Sequence, residues 1–412
     1  MNQLETPNSL RTALACARPA RAVHAPATDN QRVHGGPDAL GVPQFDFSTN
    51  ANACGPCPAA LQAVQAAHAA SYPDASYAAL RTQLAEFHGV DRQRIVLAAS
   101  ASEFIFRLST WVARQGGRGV RVPEHAYGDY AQAARALGLT VTHAPPPHRA
   151  AAGEPALAWC CDPSSPLGGP DPALPGLAKT AGTLVVLDRA YEPLRLSARL
   201  SLAPSALEHI WQLWTPNKAL GLTGVRAAYA IAPQGACETV QGLERLCPSW
   251  PLGAHGVALL QAWVQSAAQQ WLQGSLAQLR DWKAQQLAML RGLGWRCLPS
   301  DANFFCAQPF TRGRASDAGV DPGEARCLHE MLTGLRGHGI KLRDASSFGL
   351  AGQVRLSVQP PAAQRALRDA WQALAREPSD GELGLFALTN RPPAPSRLKQ
   401  ARTAVHSMKE FR

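Results

Sequence analysis

No apolar run in the 412-residue chain approaches the ~18–20 residues that a membrane-spanning helix needs, so a membrane is not an expected partner. The first residues, Met1 to Leu14, carry Glu5 and lack an apolar stretch, so no secretory signal is expected and the expected location is the cytoplasm. Charge is scarce, at 17% against 46% hydrophobic residues, which excludes a disordered polyelectrolyte and points to a globular chain long enough for two packed lobes. Ten cysteines in a chain of this length do not form a disulfide framework. Cys54-x-x-Cys57 has no second CxxC to complete a zinc site, so no metal is expected, and Cys160 and Cys161 read as small buried apolar residues after Trp159. No internal repeat is present.

Half of the net charge of +10 sits at the end, where Arg391, Arg397, Lys399, Arg402, Lys409 and Arg412 face Glu410 alone. The repeated aromatic interleaving of a nucleic-acid-binding tail is missing, and a solvated tail over 378–412 is expected instead of a nucleic-acid partner. Residues 1–30, rich in Ala, Pro and Thr, read as a flexible leader, and 31–50 as an N-terminal arm.

Between them the pattern alternates. A helical periodicity over Ser76–His88 stops at Gly89. Short apolar segments over Arg94–Ala99, Val120–Pro123, Ala156–Cys161, Thr183–Leu187 and His209–Trp214 read as strands, with helices after Ser100 and up to Leu137. Strands alternating with helices predict a mostly parallel sheet in a large α/β domain over 51–250. After Pro248–Pro251 one long helix is expected over Ala254–Leu293, followed by a smaller α/β domain, the two filling 251–377.

The chemistry centres on Lys218, in Thr215-Pro216-Asn217-Lys218-Ala219-Leu220-Gly221-Leu222-Thr223-Gly224-Val225-Arg226. In so small and apolar a setting, desolvation favours a neutral amine able to condense with an aldehyde. Thr215 and Arg226 add a hydroxyl and a guanidinium, a combination suited to a phosphate ester. Asp188 closes the run Leu184–Leu187, which places a carboxylate at the ligand-binding edge of a parallel sheet. Each residue alone has a plainer reading: a loop lysine, a helix cap, a surface arginine.

Together they resemble the fold-type I PLP-dependent aminotransferase family (class I/II), whose lysine segment reads S-x-x-K-x-x-G-x-x-G-x-R. The resemblance implies an aspartate-aminotransferase-like fold and pyridoxal 5'-phosphate as cofactor, with Lys218 as its Schiff-base lysine. It implies that Asp188 pairs with the pyridine nitrogen and Tyr191 with the phenolic oxygen. Ser100-Ala101-Ser102 is similar to the phosphate-holding turn, and Tyr127 to the aromatic that stacks on the ring. Tyr72, in Tyr72-Pro73-Asp74, matches a tyrosine that reaches the cofactor of a partner subunit, which implies a homodimer. Ser165, in Asp162-Pro163-Ser164-Ser165-Pro166-Leu167-Gly168, stands where the family has the asparagine that donates to the phenolic oxygen. Arg355 matches the arginine that grips the substrate carboxylate.

Two further stretches resemble the threonine-phosphate decarboxylases of cobalamin biosynthesis: His34-Gly35-Gly36 with Asp46-Phe47-Ser48-Thr49-Asn50-Ala51-Asn52, and Ile340-Lys341-Leu342-Arg343-Asp344-Ala345-Ser346-Ser347-Phe348-Gly349-Leu350. This implies decarboxylation of L-threonine O-3-phosphate to (R)-1-amino-2-propanol O-2-phosphate, with Arg343, His34 and Asn52 beside Arg355 at a phosphorylated amino acid. Lys218, Asp188 and Arg226 serve transamination equally, so a histidinol-phosphate-type aminotransferase stays open. So does a PLP-fold protein that binds without turnover, in view of Ser165.

Overall fold

The computed structural model describes residues 34–143, 155–310 and 322–376, with backbone alone at 322–325. The chain divides into a unit Met1–His34 and a unit Gly35–Arg412. The architecture below belongs to the second unit. The expected leader and basic tail lie outside the described residues.

Seven strands form the central sheet. Across it they run Ile95–Ala98, Ala228–Ile231, Trp211–Trp214, Leu184–Asp188, Leu157–Cys161, Gly119–Val122 and Thr140–His143. Neighbours are parallel except at Ala228–Ile231, which runs antiparallel to both of its partners. The central strands are buried throughout because helices cover both faces. Successive side chains still divide between the faces: Trp159 and Val186 pack with Phe104 and Tyr130, while Ala158, Cys160, Val185 and Leu187 pack with Leu174 and Ile210. Two strands escaped the sequence pattern. Thr140–His143 is a largely exposed edge strand without apolar alternation, and Ala228–Ile231 follows the lysine segment at once, with no helix between them.

The helix expected over 254–293 is two helices, Ala254–Trp263 and Ser266–Gly292. The chain turns at Gln265, whose backbone is extended, and the Gln269 amide donates to the Trp263 carbonyl at 2.6 Å, which holds the corner. The longer helix leads to a four-stranded antiparallel sheet in the order Arg343–Asp344, Val354–Ser357, Phe304–Gln308 and Arg296–Cys297. Gln286 of that helix, fully buried, donates to the Ser357 carbonyl at 3.0 Å and accepts from the Gln359 N–H at 2.9 Å. The arm joins the same region: Phe45–Asp46 pairs in parallel with Ile340–Lys341, and Asp38 accepts from Arg336 and pairs with Lys341.

Behind the lysine segment, His88 Nε2 lies 2.7 Å from the Tyr229 hydroxyl, which accepts from the Trp263 indole N–H at 3.1 Å. The hydroxyl proton is therefore directed to Nε2, and the imidazole is neutral with its own proton on Nδ1. Burial, with the Arg189 charge nearby, pulls the His88 pKa down from 6.5 to about 4. The folded state then binds fewer protons than the unfolded one between those values, so stability falls as pH drops through this window. The loss attributable to His88 is about 3 kcal/mol. Urea melts from pH 7 to pH 4.5 are expected to show it, and His88→Gln, which does not titrate, is expected to flatten that part of the profile. An unchanged slope in the variant would remove His88 as its source.

Candidate active site

The site lies at the carboxyl edge of the parallel strands. Asp188, the last residue of its strand, is buried. Its Oδ2 accepts from the Tyr130 hydroxyl at 2.6 Å and its Oδ1 from the Ala190 N–H at 2.9 Å. Burial pushes its pKa up from the usual carboxylate value, against the pull of those two donors and of the Lys218 ammonium. Tyr130 is itself clamped, stacked on Trp159 with ring centroids 4.7 Å apart and planes 7° from parallel.

Lys218 is half-buried, and its Nζ lies 5.3 Å from the centre of the Tyr191 ring. Its segment is held by the chain's own turns. The Gly221 N–H donates to the Lys218 carbonyl, and the Asn217 amide donates to the Thr223 and Val225 carbonyls at 3.4 and 3.3 Å. Gly221 has a φ of +67°, and a Cβ there would sit 2.5 Å from the Gly55 carbonyl oxygen, so only glycine fits. Tyr191 packs edge-on against Phe304 with centroids 4.6 Å apart, and its hydroxyl accepts from the Asn50 amide at 3.4 Å.

Ser102 and Tyr127 meet, their hydroxyls 3.1 Å apart. Burial raises the Tyr127 pKa well above the usual phenol value. The Ser100 hydroxyl caps helix Ala101–Arg114 by accepting from the Glu103 N–H at 3.1 Å. The first-turn N–H groups of Ala101 and Ser102 sit at a helix N-terminus, which leaves such donors without intrahelical acceptors. The Thr215 hydroxyl is buried without a hydrogen-bond partner. Arg226 is exposed at the far end of its segment.

Ser165 is buried, and its hydroxyl accepts from Arg355 Nη1 at 3.4 Å. Its loop is anchored by fully buried Asp162, which pairs with Arg195 at 2.7 Å and accepts from the Ser201 hydroxyl at 2.9 Å. Arg355 donates to the Ser48 carbonyl at 2.9 Å, leaves its Nε without a partner and makes no ion pair among the described residues. Arg343 lies opposite it on the neighbouring strand. Burial, reinforced by the Arg355 charge, draws the Arg343 pKa down to about 10. Burial lowers that of Arg355 too.

Two expected residues, Asn52 and Tyr72, make other side-chain contacts. Asn52 is buried away from Tyr191, its amide donating to the Ala219 carbonyl and the Ser275 hydroxyl while its oxygen accepts from the Cys54 N–H. The arm asparagine that faces Tyr191 is Asn50, two residues earlier and on the same quoted stretch. Tyr72 is 79% exposed and stacks on Trp250 at 4.5 Å. His34 belongs to the other unit. Tyr130 was missed, although it follows Tyr127 by three residues, the spacing that puts two side chains on one helix face. Among the described residues no group of acidic, histidine or cysteine side chains is arranged to hold a metal ion, and no helix is long and apolar enough to cross a membrane.

The arrangement suits a phosphorylated pyridine aldehyde. Lys218 is an amine for the aldehyde, Asp188 a buried acid for the ring nitrogen, and the orphaned Thr215 hydroxyl with the helix N-terminus at Ala101 and Ser102 a seat for the phosphate. The profile described as "Aminotransferase class I and II" matches residues 42–374. A histidinol-phosphate aminotransferase of Jannaschia sp. (strain CCS1) is 29% identical over 332 residues, covering 76% of this chain and 87% of that protein. The solved histidinol-phosphate aminotransferase of Sinorhizobium meliloti in complex with pyridoxal-5'-phosphate superposes with a TM-score of 0.67 at 22% identity, over 81% of this chain and 92% of that one. L-threonine-O-3-phosphate decarboxylase of Porphyromonas gingivalis gives 0.66 at 19% identity, over 80% and 99%. The chain belongs to the aminotransferase class I and II family, the fold-type I enzymes that use pyridoxal 5'-phosphate.

Proposed function

We propose that the protein decarboxylates L-threonine O-3-phosphate. The observation that carries this reading is the pair Arg343 and Arg355, buried opposite each other on adjacent strands. Two guanidinium groups so close repel unless an anion joins them, and a substrate with both a carboxylate and a phosphate satisfies both at once. Arg355, deeper and beside Ser165 and Tyr191, takes the carboxylate, while Arg343 takes the phosphate. When bound, pyridoxal 5'-phosphate supplies an electron sink for the bond broken at Cα. Asp188, aligned by Tyr130 and the Ala190 N–H, holds the proton on the ring nitrogen. Tyr191, with Asn50 against its hydroxyl, lies beside Lys218 and would hydrogen-bond the phenolic oxygen of the bound cofactor. Lys218 anchors the cofactor and then delivers a proton to Cα. The buried apolar walls at Phe304 and Tyr191 keep water from the reacting carbon. Tyr72 and Trp250, an aromatic stack exposed in one chain, support a homodimer in which a partner covers them.

A histidinol-phosphate-type aminotransferase is the second reading, favoured by the curated relatives. Release of CO2 from O-phospho-L-threonine supports decarboxylation. Glutamate-driven conversion of the bound cofactor to its amine form, with no CO2, would establish transamination instead.

Borohydride treatment of the PLP-loaded protein is expected to add a covalent mass at Lys218, and Lys218→Ala is expected to lose it; an adduct persisting in the variant would move the anchor elsewhere. For substrate choice, a charge-assisted bond contributes roughly 1.5–3 kcal/mol. Arg343→Ala should therefore weaken O-phospho-L-threonine by about ten- to a hundredfold and leave L-threonine little changed. Arg355→Ala should weaken both ligands. Equal losses for both in Arg343→Ala would place the phosphate on other groups. In sedimentation velocity the active species should be a dimer, and a fully active monomer would contradict the placement of Tyr72.

A further inference from the structure

Two side chains at the site have no part in the scheme above, Phe348 and His125. Phe348 is half-buried on the short turn Ser346–Phe348. The centre of its ring lies 4.9 Å from the Arg343 guanidinium carbon and 5.4 Å from that of Arg355. An aromatic ring in reach of both cations offsets part of their repulsion and stands as a spacer for the pair. The turn that carries it is exposed at Ser346 and Ser347 and is held on its own side by Arg343, which donates to the Ser347 hydroxyl at 2.6 Å, and by Asp344, which accepts from the Ser346 N–H and hydroxyl.

A second hold comes from the loop that follows strand Gly119–Val122. His125 Nδ1 lies 2.7 Å from the Phe348 carbonyl oxygen, which can only accept, so Nδ1 carries the donated proton. His125 sits between strand Gly119–Val122 and helix Gly128–Ala136, two residues before Tyr127. Gly349, with a φ of +79°, lets the chain turn away beneath the imidazole, and a Cβ there would already touch Nδ1 at 3.4 Å. One hydrogen bond thus ties the segment bearing Tyr127 to the turn that sets the two arginines.

We propose that His125 is a positioning residue that sets the preference for phosphorylated substrates, by fixing the Phe348 ring against Arg343 and Arg355 and so fixing the spacing of the two anion-binding groups. The inference rests on the assignment of Arg343 to the phosphate and Arg355 to the carboxylate.

The test uses the PLP-loaded enzyme and its His125→Ala and His125→Asn variants. In His125→Ala the KM for O-phospho-L-threonine is expected to rise about three- to tenfold, the effect of one hydrogen bond, with kcat nearly unchanged. Binding of O-phospho-L-threonine to the cofactor-free protein, measured by calorimetry, is expected to weaken by the same factor. Amide exchange over residues 345–350 is expected to accelerate. His125→Asn, whose side-chain amide can donate to the same carbonyl, is expected to restore all three. A wild-type enzyme that prefers O-phospho-L-threonine over L-threonine, with the preference intact in His125→Ala, overturns this inference alone. A parallel fall in kcat, or an asparagine variant no better than alanine, overturns it as well. A wild-type enzyme with no such preference overturns the reading of the arginine pair and this inference with it.

Discussion

A carboxylate held out of water at the end of a parallel strand is the constraint around which this site is assembled. Asp188 has no basic residue bonded to it; it is held by a phenol and a backbone N–H. The cost of keeping that group buried appears in its raised pKa. Tyr130 can align the carboxylate because Trp159, on the neighbouring strand, fixes the phenol ring by stacking. The sheet's register brings Cys161 beside Asp188 and, two residues back, the Trp159 ring beneath Tyr130.

The second half of the site comes from the other end of the chain and is joined through backbone carbonyls. Arg355 donates to the Ser48 carbonyl, and the Ser357 N–H donates to the Phe47 carbonyl. The Gln359 amide donates to the Asp46 carbonyl. The arm is thus sewn to the four-stranded sheet on one side, while Asn52 and the Lys218 carbonyl bind it to the lysine segment on the other. A short stretch, 46–52, connects Lys218 with Arg355.

Much of this was legible in the sequence, for definite reasons. The spacing from Thr215 to Arg226 encodes a turn whose glycine and asparagine are needed by local geometry. Asp188 was legible because a carboxylate ending an apolar run has few plausible places. Tyr130, Phe348 and His125 were not, since their roles arise from contacts across 58, 5 to 7 and 223 positions that no local pattern records. The arm shows the same limit at close range. Asn50 and Asn52 share one motif, yet one meets Tyr191 and the other accepts from the Cys54 N–H and braces Ser275. The break at Gln265 was hidden for another reason: its flanks are both helical, and the corner depends on a side-chain bond from Gln269.

The facing pair Arg343 and Arg355 has a consequence for how the site meets its surroundings. Two guanidinium groups with low-dielectric walls form a focus of positive potential that draws in multiply charged anions before any shape is tested. Such a field is shortened by dissolved salt, with a reach of ~8 Å at physiological ionic strength. Capture of a dianion then slows as salt rises, while the steps after capture do not. Under the proposed assignment of Arg343 to a phosphate, sulfate and inorganic phosphate, on the same tetrahedral frame, would compete for the same place.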